Sequence, residues 1–420
     1  PFGIVLVLDR LSALMLALVA GLALAVLLYA IGSGRDGKGR HFHALFLFQL
    51  MGLNGAFLTG DAFNLFVFFE VLLIASYGLM IHGGGAERLR AGVRYVAFNL
   101  LGSTLFLFAL GTVYAVTGTL NMADLAVKLP ALPEADQGLM RVAAVLLLLV
   151  FAVKGALVPL QFWLPGTYAN APGPVAALFA VMTKVGAYAV IRFGTLVFPP
   201  ELAVTGGLWA ELLMPASLAT MALGAFGVLG ARSLPRQAAF AGIGSMGMVF
   251  LAVSAFREEA TTAALYYLIQ ATLAGAALFL ICDLVGRGAR GGLVAALYMA
   301  AAIAAAGLPP MPGFIGKLLI LQAFAGQEPL VWSVVLLTSL LTLIGLARAG
   351  SDLFWKPAER GAPVAHPAPA MACAAVGLLL LAQAGLVLGA APVMGWLAAT
   401  AEALHAPAAS ILAHHLPGEM

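Results

Sequence analysis

Apolar runs long enough to cross a bilayer recur from one end of this chain to the other, and that recurrence leaves few folds open. Hydrocarbon supplies no partner for backbone amides and carbonyls, so each run must close its own hydrogen bonds as a helix. Gly, Pro and charge boundaries divide the runs into twelve segments: 11–31, 43–59, 61–82, 93–117, 139–165, 173–197, 211–231, 237–256, 260–284, 293–325, 330–350 and 368–391. The predicted fold is an all-α polytopic membrane protein. Only 9% of the 420 residues are charged and 63% are hydrophobic, too few charges to clothe a water-exposed surface. Residues 1–420 therefore read as one transmembrane domain, with no separate soluble domain.

Charge places the loops. If the first loop faces inward, alternate loops carry Arg35, Lys38, Arg40, Arg88, Arg90, Arg94, Arg232, Arg236, Arg287, Arg290, Arg348, Lys356 and Arg360. The other side carries only Arg10, Lys128, Arg141, Arg192 and Arg257, along with most acids, among them Asp124, Glu134, Asp136, Glu201, Glu211, Glu258, Glu259 and Glu328. Cytoplasmic loops concentrate Lys and Arg. The basic loops are thus expected in the cytoplasm and both termini outside, in the cell's inner (cytoplasmic) membrane. Residues 392–420 read as an interfacial amphipathic tail or an ordinary frayed end. Because the chain opens on Pro1 and enters a span almost at once, it is expected to lack its natural amino terminus.

Several chemistries find no support. The net charge of +3 comes without a basic run interleaved with aromatics, so nucleic acid is not an expected partner. Cys282 and Cys373 lie in separate apolar segments, and the seven histidines, His366 and His415 included, fall in loops or at segment ends. No metal site, haem, nucleotide fingerprint or other cofactor is expected.

Four ionisable residues remain deep within spans: Glu70, Lys154, Lys184 and Lys317. Each costs about 2.5 to 3.5 kcal/mol at a helix centre if unpaired, so they must face one another or water. A structural ion pair is one reading. The other is a proton relay, for which lysine and glutamate are suited because burial and pairing push their protonation in opposite directions. Arginine, which stays protonated, appears only in loops or at span ends.

Two spans carry helix breakers beside a lysine. Pro159 should break the fifth just after Lys154, and Pro309, Pro310 and Pro312 should break the tenth just before Lys317. Irregular backbone at membrane depth is tolerated where it lines a cavity or is buried in protein. The broken spans stand five apart, hence in opposite orientations, which suggests inverted repeats over 43–197 and 211–350. Thr183, Gln161, Tyr267, Gln270 and Ser245 could hold water between the charged sites, or simply join helices.

Three stretches, "GDAFNLFVFFEVLLIASYGL", "VKGALVPLQFWLPGTYANAPGPVAALFAVMTKVGAYAVIRF" and "AAGLPPMPGFIGKL", resemble the antiporter-like proton-translocating family. That family includes the membrane subunits of respiratory complex I, of related hydrogenases and of Mrp multisubunit sodium/proton antiporters. The wording around Glu70 and the "FWLPGTY" stretch is most similar to the Mrp D-type subunit. The resemblance implies about fourteen helices with two inverted five-helix repeats, two helices preceding Pro1, and a hetero-oligomeric membrane complex as partner. It also implies that Glu70 and Lys154 form the charge pair of a first half-channel, that Lys184 connects, and that Lys317 ends a second half-channel. Relatives often carry a histidine where this chain has Gln270. The expected function is proton translocation in a monovalent cation (sodium)/proton antiporter, a secondary transporter and not an enzyme. The alternative is a proton-pumping subunit of a complex I or hydrogenase type assembly.

Overall fold

A computed structural model describes residues 4–326, 329–356 and 367–414. Glu328, Arg360, His366 and His415 lie outside the described residues. The chain runs through α1 (Arg10–Ser33), α2 (Phe42–Leu58), α3 (Ala62–Met80), α4 (Ala86–Thr117), the short α5 (Met122–Lys128), α6 (Glu134–Gly155), α7 (Trp163–Asn170) and α8 (Gly173–Leu196). It continues through α9 (Leu208–Gly230), α10 (Leu234–Ser254), α11 (Glu258–Gly286), α12 (Gly292–Ala306), α13 (Pro312–Ala323) and α14 (Pro329–Gly350). Three helices close it: α15 (Ala370–Leu388), α16 (Ala390–His405) and α17 (Ala408–His414).

Ten of these helices are long and apolar enough to cross a membrane. With the 17-residue α2 and the broken α12–α13 pair, they account for the twelve segments read from the sequence. The outer surface follows from lipid as solvent: large apolar side chains such as Leu8, Ile74, Val93, Leu381 and Leu388 stand exposed, which in water would mark a sticky patch.

Two helices form the centre. α8 is buried without interruption from Pro174 to Thr195, and α11 from Ala260 to Ala274. They pack against each other, which places Lys184 and Gln270 on the two innermost elements. Close approach of α6 to α8 depends on Gly186, where a Cβ would lie 2.6 Å from the Phe151 carbonyl oxygen. On the other side α9 meets α10 backbone to backbone, since a Cβ on Gly224 would sit 2.5 Å from the amide nitrogen of Gly244.

The two faces of the bundle are sealed differently. On the acidic face the segments flanking helix ends pair locally through isolated bridges, Leu6 with Thr59 and Asp61 with Asn121. On the basic face arginines reach across: Arg35 pairs with Asp283, Arg88 donates to the Asn170 carbonyl at 3.0 Å, and Arg287 donates to the Ser33 carbonyl at 2.8 Å. Asp283 also accepts from the Tyr29 hydroxyl at 2.9 Å, tying α1 to α11.

Two expectations need correction. Residues 390–405 are helix docked on α8 and α11, with Leu397, Thr400, Ala401 and Leu404 buried, so this stretch is not a frayed end. Arg192 is not a loop cation: it lies inside α8, 6% exposed, where its guanidinium meets Asp9.

Candidate functional site

Both broken spans use one backbone device. α6 ends at Gly155, and Ala156 takes a left-handed conformation (φ 55°) whose N–H returns to the carbonyls of Ala152 and Val153. α12 ends at Ala306, and Gly307 (φ 75°) returns its N–H to Ile303 and Ala304. In each case the third residue after the cap is a proline joined by a cis bond, Pro159 or Pro310. The chain then re-enters helix as α7 or α13. Pro312 turns out to start α13, the first helical position that proline favours, so it resumes the helix instead of breaking it.

This device fixes where the lysines go. The C-terminal end of a helix presents carbonyls without intrahelical partners and a partial negative charge. Lys154 sits in the last turn of α6, at that end. Lys317 belongs to α13, the far side of its break, yet its ammonium reaches back to donate to the Ala306 carbonyl at 2.6 Å. The Lys317 stem lies against Gly307, where a Cβ would fall 2.9 Å from Nζ. The Lys317 ammonium thus uses the carbonyl end of its broken helix, whereas the Lys154 ammonium leaves that end for Asn99 on α4.

Their surroundings diverge. Lys154 Nζ donates to Asn99 Oδ1 on α4 at 3.1 Å and stands 5.6 Å from the Phe69 ring centroid. Glu70, next to Phe69 on α3, accepts from the Ser103 hydroxyl, also on α4. The direct Glu70–Lys154 pair is not formed: among the described residues no ion pair within 4.0 Å joins them. Instead Asn99 and Ser103, one helical turn apart, stand between acid and base. Asn99 is 1% exposed and Ser103 7%, and Tyr95 continues the same stripe, its hydroxyl 2.9 Å from Ser76 Oγ.

Among the described residues, Lys317 is joined to no acid by an ion pair. Its second partner is Ser339 Oγ on α14 at 2.8 Å. It opens on a cavity of about 30 Å³ that Ser245, Tyr267, Thr338 and Thr342 also line. That space holds on the order of one or two waters.

Lys184 differs again: it is 2% exposed, and no hydrogen bond to it is found among the described residues. An ammonium with three donors and no protein acceptor needs water. The buried amides point the same way. Gln270 Oε1 and Gln161 Oε1 have no partner among the described residues, as expected of groups that bind ordered water. Gln270 stands at the second break, 3.3 Å from where a Cβ on Gly313 would be. Thr183 only returns its hydroxyl to the Ala180 carbonyl at 3.5 Å, a helix-internal contact.

Asn99, Ser103 and Ser339 escaped the sequence reading because single polar residues are common packing glue in such helices. The spacing of Tyr95, Asn99 and Ser103 by four was the available signal. No group of three His, Cys, Asp or Glu side chains that could hold a metal ion occurs among the described residues.

An all-helical membrane bundle with two broken helices, each with a buried lysine beside the break, defines an antiporter-like transmembrane subunit. The chain belongs to the NADH:quinone oxidoreductase/Mrp antiporter transmembrane family, whose model matches residues 59–342. It is 40% identical to a probable D-type K(+)/H(+) antiporter subunit of Rhizobium meliloti (strain 1021), over 97% of this chain and 83% of that protein. It is 39% identical to the D-type Na(+)/H(+) antiporter subunit of Bacillus subtilis (strain 168), over 84% of this chain and 74% of that one. A chain in the structure of the Mrp complex from Dietzia sp. DQ12-45-1b superposes with a TM-score of 0.86 at 27% identity, over 97% of this chain and 85% of that one.

Proposed function

We propose that this chain is the proton-translocating D-type subunit of a multisubunit monovalent-cation/proton antiporter. It sits in the cytoplasmic membrane with its basic face inward and is a transport subunit, not an enzyme. The observation that carries the reading is the repeated device: two helices broken in the same way, each with a buried lysine beside the break. Relatives named for potassium and for sodium support a monovalent alkali cation without choosing between the two. Segments 43–197 and 211–350 serve as two inverted repeats, each contributing one broken helix.

In the first half, a proton passes between Glu70 and Lys154 through the hydroxyl and amide of Ser103 and Asn99, or through water they hold. Ser103 can accept and donate at once, so it conducts, while Asn99 orients the ammonium. Lys184 hands the proton across the centre, with Gln270 holding water toward Lys317. A membrane potential supplies about 2.3 kcal/mol per elementary charge per 100 mV, enough to shift a lysine between its acceptors and water.

Proton flux in inverted vesicles containing the assembled complex tests this. Glu70→Ala and Lys154→Ala, each at normal complex abundance, are expected to reduce cation-dependent proton flux to background. Normal flux in either variant removes the relay.

A further inference from the structure

Lys184 is the lower rung of a polar ladder on one face of α8. Tyr188 and Arg192 follow at intervals of four residues, and Arg192 ends against Asp9 in front of α1. Beyond them, on the acidic face, lies a cavity of about 450 Å³, bounded by Asp9, Arg192, Thr195, Glu402 and Ser410. Such a ladder could drain protons from the centre straight to that face. Its hydrogen bonds forbid this.

The Tyr188 hydroxyl donates to the Phe57 carbonyl at 2.8 Å, a backbone oxygen that cannot pass the proton on. The same hydroxyl accepts from Arg192 Nε and Nη2, each at 3.4 Å. Arg192 Nη2 donates to Asp9 Oδ1 at 2.9 Å and to Ser12 Oγ at 3.2 Å, and Nη1 donates to Asp9 Oδ2. A proton wire needs each member to accept one hydrogen bond and donate another, whereas a guanidinium accepts none and does not release its proton. Asp9 is itself held as the cap of α1, accepting the Ser12 amide at 2.8 Å.

We infer that Arg192, positioned by Asp9 and Tyr188, is an insulating seal that prevents protons on Lys184 from leaking to the acidic-face cavity. Arg192 takes no part in transfer; it closes the polar face of α8 that runs from Lys184 toward the acidic-face cavity. The route being sealed rests on the proposed role of Lys184 as a proton carrier.

The test uses the whole complex in vesicles under an imposed pH gradient, with choline as the only bulk cation so that exchange is silent. Wild type is expected to hold the gradient. Arg192→Gln, whose amide both donates and accepts, is expected to collapse it about tenfold faster. Arg192→Lys keeps a cation against Asp9 but fills less of the site and offers fewer fixed donors, so it should leak to an intermediate degree. Adding Lys184→Ala to Arg192→Gln is expected to restore retention. Assembled Arg192→Gln and Arg192→Lys complexes that both hold the gradient like wild type overturn the seal, as does failure of both to assemble, which assigns the pair to folding alone. A leak that persists in the double variant keeps the seal but overturns Lys184 as its source. Lost exchange in Lys184→Ala beside a tight Arg192→Gln keeps the relay and removes the seal.

Discussion

The two lysine sites share a backbone and differ in everything around it. At the first break, Lys154 has an acid nearby, with the α4 side chains Asn99 and Ser103 between them. At the second, Lys317 has a backbone carbonyl, a serine and a small polar cavity, with no carboxylate in the lining. The lesson is that the broken helix supplies the place for a cation, while neighbouring helices decide what that cation exchanges with. Under the proposed relay, the first site passes a proton between charged side chains and the second between a lysine and water.

Experiments that remove charge transfer while keeping charge should hit both sites hardest. Lys154→Arg and Lys317→Arg keep a cation beside each break but hold their protons, so cation-dependent proton flux is expected to fall to background in both. Flux surviving in only one variant would break the symmetry of the two breaks.

Next comes the acid that only the first site has. Glu70→Gln keeps a group that can accept from Ser103 but cannot ionise, and flux is expected to fall by about a hundredfold. Ser103→Ala should cost about tenfold, since one hydrogen bond to a charged group is lost. Ser339→Ala should cost less than Ser103→Ala, because water in the cavity can replace one hydroxyl beside Lys317. An equal loss at Ser103 and Ser339 would argue that both sites work through side chains alone.

Stability should separate the caps by a smaller margin. Gly307→Ala adds a Cβ in left-handed backbone and against the Lys317 stem, and should destabilise the chain by about 1–3 kcal/mol. Ala156→Gly removes a Cβ from the same conformation and should stabilise by about 0.5–1 kcal/mol after the entropy of glycine is counted. Thermal shift of the assembled complex reads both, and a shift of the same sign in the two variants would contradict the shared cap geometry.

The smallest effect lies outside both sites, on α16. Burial pushes the His405 imidazole below its usual range, opposed by Glu258, Glu201 and Glu259. The unfolded or undocked state then binds the proton more readily, so the contribution of His405 to docking is complete above its ordinary value of 6.5 and shrinks as pH falls through it. Amide exchange across α16 should therefore quicken below about pH 6.5, and His405→Gln should flatten that dependence.

Much of this was legible in the sequence because a bilayer makes charge and proline expensive. Glu70, Lys154, Lys184 and Lys317 stood out as charges within spans, and Pro159 and Pro310 marked breaks that begin four residues earlier, where the helices end. Hydrophobic runs told helix from loop but not helix from helix, so α16 read equally well as lying on lipid. The partner of each charge was hidden, because a polar residue on α4 and a lysine on α6 meet only through tertiary packing. Arg192 was misread for a related reason: its place near a span end suggested water, while its true neighbour, Asp9, lies 183 positions away in sequence.

The central claim is that buried protons move through water held between Lys184, Gln270 and Lys317. A map of the assembled complex that resolves ordered water tests it most directly. Waters are expected on the Lys184 ammonium and on Gln270 Oε1, continuing into the cavity beside Lys317. An apolar, water-free gap on either side of Gln270 would contradict it.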